Sequence, residues 1–76
     1  MSTETPTAAE IASNYSAALD SVTLITELMA LSSRDADQTA TVARNVEHLE
    51  LMVAKTYWTK KEDLAPLNAA ITAGKA

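Results

Sequence analysis

The chain is predicted to be all-α: an antiparallel helical hairpin of two long helices plus a short third C-terminal helix, completed by oligomerisation. Three observations predict this. Apolar residues recur at alternating steps of three and four along two stretches of similar length, the spacing that lays side chains along one helical face. Capping-box patterns mark the start of each stretch. The segment between the two is too short for anything but an antiparallel return.

Residues 1–6 are polar, without periodicity and ended by Pro6, and read as a disordered N-terminal tail. A single helical domain is expected over residues 7–74. In Thr7-Ala-Ala-Glu10 the Thr hydroxyl can accept from a backbone N–H one turn in while the Glu reaches back to the cap. Ile11, Tyr15, Ala18, Val22, Ile25 and Met29 then form a heptad-like stripe, placing helix 1 at about 7–31. Leu24, Leu28 and Leu31 widen that stripe, and Leu19 lies off it.

Ser32-Ser33-Arg34 interrupts the pattern, and Asp35-Ala-Asp-Gln38 offers a second box, with acidic charge at the positive end of the next helix. Helix 2 is predicted over 35–58, with Thr39, Val42, Val46, Leu49, Val53 and Thr56 or Tyr57 on one face. Leu51, Met52 and Trp58 fall outside that face and need separate cover. Thr59-Lys-Lys-Glu62 is a third box, and Leu64, Leu67 and Ile71 repeat at three and four. Helix 3 is therefore expected at 60–73, with a kink or restart near 63–66, because Pro66 fits a helix capped at Asp63. Gly74 stands where a left-handed cap would end it, and residues 75–76 are tail.

The 76 residues include no cysteine, so disulfides and thiolate metal sites are excluded, and a core this small benefits from burial in an assembly. A net charge of -4 disfavours nucleic acid and anionic membrane, both of which select basic surfaces. The N-terminal residues carry no basic region followed by an apolar run, and no apolar stretch approaches a membrane span. The expected location is cytoplasmic, either host cytoplasm or a virion.

Chemistry is sparsely signposted. The one histidine, His48, has Arg44, Asn45, Leu51 and Met52 one turn away, so no carboxylate is in register to share a metal. It reads as a rim histidine making a hydrogen bond, beside a charged face in which Arg44 pairs with Glu47 or Glu50. No serine has an evident base, and no glycine-rich loop exists to cradle phosphate. The expectation is a protein with no catalytic residues, no cofactor and no metal.

Two surfaces are candidates. Leu19, Leu24, Leu28, Leu31, Leu51 and Trp58 exceed what a hairpin and one short helix need, and such a surplus marks a protein interface, most simply a homo-oligomer in which two hairpins form a four-helix bundle. Lys55, Tyr57, Lys60 and Lys61 make a basic and aromatic corner that could hold another protein or nucleic acid.

The run from Val42 to Lys55, then Tyr57-Trp-Thr-Lys-Lys-Glu-Asp-Leu64 and Pro66-Leu-Asn-Ala-Ala-Ile71, resembles small uncharacterised proteins encoded by tailed phages and prophages. Arg44-Asn45, His48-Leu49, Met52, Trp58-Thr59 and Asp63-Leu64 carry the resemblance. These are packing and capping positions, so the resemblance implies a virion or accessory component and transfers no active site.

Overall fold

The computed structural model describes residues 6–59 and 62–76. Three helices follow in order: α1 (Ala8–Met29), α2 (Ala36–Val53) and α3 (Ala65–Gly74). Both long helices begin where their caps predict. Thr7 Oγ1 accepts from Glu10 N at 3.1 Å while Glu10 Oε1 accepts from Thr7 N at 2.8 Å. Asp35 and Gln38 repeat the exchange at 2.7 and 3.0 Å. Each box satisfies backbone donors that a helix N-terminus otherwise leaves unpaired.

The ends differ from expectation. Helix α1 stops at Met29, two residues before Leu31, where Arg34 Nη1 takes up the Leu28 and Leu31 carbonyls, each at 3.2 Å. Helix α2 stops at Val53, five residues before Trp58. There the Met52 carbonyl accepts from Lys55 N at 3.1 Å and from the Trp58 indole Nε1 at 2.7 Å, so the C-terminal acceptors have partners without another helical turn. The Thr56-Tyr57-Trp58-Thr59 run also has little helix propensity.

The third capping motif does not start a helix at residue 60. Thr59 N and Oγ1 both donate to Glu62 Oε1, whereas α3 begins at Ala65 with Pro66 in its first turn. The cap is Leu64, without a side-chain cap hydrogen bond, and not the expected Asp63, whose Oδ1 instead accepts from Ala65 N at 3.0 Å.

The hydrophobic stripes meet in one core. Ala18 and Ile25 of α1, Val42, Val46, Leu49 and Met52 of α2, and Leu67 and Ala70 of α3 are buried together, with Tyr15, Val22, Met29, Trp58 and Ile71 packed around them. Met52, expected outside the α2 face, is part of this core. Ile25, Leu49 and Leu67 are the largest fully buried side chains, one from each helix. Alanine at 18 and 70 brings backbones close, which volume-matched packing requires.

Helix α3 lies against both long helices and is seated by Gly74. The sequence places Gly74 as a left-handed cap, but among the described residues no glycine has a positive φ. Its role is steric. A Cβ at position 74 would overlap Val46 Cγ2 and approach Ile25 Cγ2 to 3.4 Å and Val42 Cγ1 to 3.5 Å, so only glycine fits against the hairpin there without movement.

Candidate functional site

The described residues bring three arrangements together. The first is an aromatic elbow in the α2–α3 connection. Trp58 meets Tyr15 edge-on, with ring centroids 6.0 Å apart, and Tyr57 lies 4.9 Å from Trp58. Tyr57 Oη accepts from Asn14 Nδ2 at 3.1 Å, and Tyr15 Oη donates to the Asp63 carbonyl at 2.6 Å. These contacts tie the connection to α1. Trp58 packs against the core, and Tyr57 is held by Trp58 and Asn14; both rings are half-buried. Lys55 is exposed, while Lys60 and Lys61 lie outside the described residues.

The second is a polar cluster that links the two long helices. Ser21 of α1, only 6% exposed, places its Oγ 2.8 Å from Asn45 Oδ1 and 2.8 Å from His48 Nδ1 on α2. Asn45 Nδ2 donates to the Thr41 carbonyl at 2.8 Å, which orients the amide so that its oxygen faces Ser21. The single Ser21 proton therefore goes to Asn45, and Ser21 must accept from His48, whose Nδ1 carries the hydrogen. The direction is His48 to Ser21 to Asn45 to Thr41.

A serine nucleophile gives its proton to histidine, whereas here histidine gives to serine and Ser21 is buried. The cluster is a hydrogen-bonded brace across the hairpin. His48 makes a hydrogen bond, as expected of it; its partner Ser21, expected to have no base nearby, comes from across the hairpin, where residues equally far from the 30–35 turn lie level. The expected Arg44–Glu pairs are replaced as well: Arg44 Nη2 donates to Thr41 Oγ1 at 3.2 Å, and Glu50 pairs with Lys75 beyond α3. No group of three or more His, Cys, Asp or Glu side chains suited to a metal occurs among the described residues. A depression of about 210 Å³ at the turn end, bordered by Met29, Arg34, Val42 and Gly74, offers one charged group, Arg34, whose Nη1 serves the α1 carbonyls.

The third arrangement is apolar. With all three helices packed, Leu19, Leu24, Leu31 and Leu51 remain 37%, 38%, 42% and 60% exposed, and Leu28 is half-buried against the core. They do not form one patch. Leu19 and Leu24 are five residues apart, about 140° around α1 at 3.6 residues per turn, so they lie on different flanks. Leu51 is two residues from the fully buried Leu49 and faces away from the core. Leu24 and Leu28, four residues apart on α1, share one flank, next to that of Ser21, and Leu31 follows in the turn just past the helix end. No helix is long and apolar enough to cross a membrane among the described residues. Comparison with protein-family models, curated proteins and solved structures finds no match.

Proposed function

We propose that this protein is a non-enzymatic helical interaction module that works by self-association, in keeping with a phage-encoded virion or accessory component. The exposure of four leucines after α3 has already joined the core carries this reading. Apolar side chains of that size left in water favour an association that covers them, at roughly 25 cal/mol per Å² removed from solvent. The direction of the Ser21–His48 hydrogen bond supports a role outside catalysis, since the best-placed hydroxyl and imidazole are used to hold two helices together. Light scattering behind a sizing column, over a range of loading concentrations, tests the reading. A mass that rises above 8.1 kDa with concentration supports it, and a monomer throughout overturns it.

A further inference from the structure

We infer that a second copy of this chain seats on the edge of α1 that carries Leu24 and Leu28 and on Leu31 just past its end, antiparallel to α1, with Asp20 reaching Arg34 of the second copy. The inference rests on the self-association reading above and names its surface. Three observations select this flank over the other exposed leucines. Leu19 and Leu51 stand singly on separate faces, whereas Leu24 and Leu28 follow each other one turn apart on one edge of α1 and Leu31 lies just past its end, in the turn, its N–H donating to the Leu28 carbonyl. With α3 in place, Leu24 is still 38% and Leu31 42% exposed, on either side of a Leu28 that is half-buried against the core. The stripe is also self-complementary. Its midpoint falls near Leu28, so a two-fold axis there sets Leu24 opposite Leu31 and Leu28 opposite its own mate, the same patch on both subunits as an isologous interface demands.

Charge sets the direction. Helix α1 contains Glu10, Asp20 and Glu27 but no Lys or Arg, so a parallel pairing would align acids along its length. The antiparallel pairing carries exposed Asp20, which has no hydrogen bond or ion pair among the described residues, toward the turn holding Arg34. Arg34 spends Nη1 on the α1 carbonyls, and its planar fork has further donors for a carboxylate. Asp35, next to it, is committed to its helix cap. Glu27 lies on the edge of the stripe near the axis and meets its mate there, a like-charge contact that weakens the seam. A seam of three leucines covers less than the ~800 Å² per partner of a standard interface, so the association is concentration-dependent.

Sedimentation equilibrium of the full chain up to about 1 mM, a concentration that detects millimolar affinity, tests the surface, with circular dichroism confirming the fold of each variant. Leu24→Glu and Leu31→Glu should weaken association about tenfold or more, which corresponds to at least ~1.4 kcal/mol. Leu19→Glu and Leu51→Glu should leave it unchanged, although Leu51 is the most exposed of the four. Glu27→Gln should tighten it. Asp20→Arg and Arg34→Asp should each weaken it, and mixing the two variants should restore it, because each then supplies the charge that the other lacks. If Arg34→Asp loses its fold, the leucine set decides the matter, since those side chains are already exposed. An associating protein that responds equally to Leu51→Glu and Leu24→Glu, or that folded charge variants fail to restore on mixing, overturns this surface alone. A wild-type chain that stays monomeric throughout overturns both this surface and the self-association reading.

Discussion

Ser21 shows how one buried hydroxyl can define the state of a neighbouring ring. Its proton is claimed by Asn45, so His48 must keep its own hydrogen on Nδ1. At a pH where the ring is neutral, nitrogen NMR should report the Nδ1–H tautomer of His48 as the dominant form; a dominant Nε2–H form would reverse the assigned direction. Ser21→Ala removes the shared centre and leaves Asn45 Oδ1 and His48 Nδ1 without it. The expected loss is about 1–3 kcal/mol, the usual cost of stranding polar groups in a partly buried setting, measured by urea unfolding. The residue types involved are visible in the sequence, but their meeting is not, because Ser21 lies 24 and 27 positions from its partners.

Among the elements, α3 tests packing against propensity. Replacing glycine by alanine in a helix ordinarily stabilises it by ~1 kcal/mol. At Gly74, half-buried at the end of α3, the added methyl would overlap Val46 Cγ2, and forcing a methyl against a packed side chain costs about 1–3 kcal/mol. Gly74→Ala should therefore destabilise the protein, and a gain in stability would show that α3 shifts freely along the hairpin. The starts of the two long helices were legible, because a cap and its partner are three residues apart and act through local geometry; the third box, at Thr59, starts no helix, and α3 begins at Ala65. The ends were less so. Helix α2 runs out where a tryptophan six residues beyond Met52 supplies a donor to its carbonyl, a contact that no apolar period announces. Thr56 and Tyr57 keep the spacing of the α2 stripe but belong to the connection that Tyr15 and Asn14 hold down.

For the whole molecule, the consequence is cooperativity. Each helix packs against the other two, and the elbow around Trp58 ties the connection to α1, so α3 should not undock on its own. Thermal unfolding followed by Trp58 fluorescence and by far-ultraviolet circular dichroism should give coincident transitions. An earlier fluorescence transition would mark α3 as a separately opening unit. The Glu50–Lys75 ion pair adds little to this, because both side chains are largely in water, 42% and 59% exposed, and such pairs contribute at most about 1 kcal/mol. Glu50→Gln should accordingly leave the unfolding midpoint nearly unchanged at moderate salt.

The sequence by itself determined the helical class, the hairpin, the two N-terminal capping boxes and the absence of cysteine chemistry, since each rests on contacts within one turn or on composition. Only the tertiary structure decided that Met52 is core, that Trp58 locks a connection, that Gly74 is a steric seat, that Ser21 and His48 meet, and that the surplus leucines fall on separate faces. The reason is physical: the period of a helix states which residues share a face, but which face meets which neighbour depends on helix register and rotation, fixed by side chains far apart in the chain.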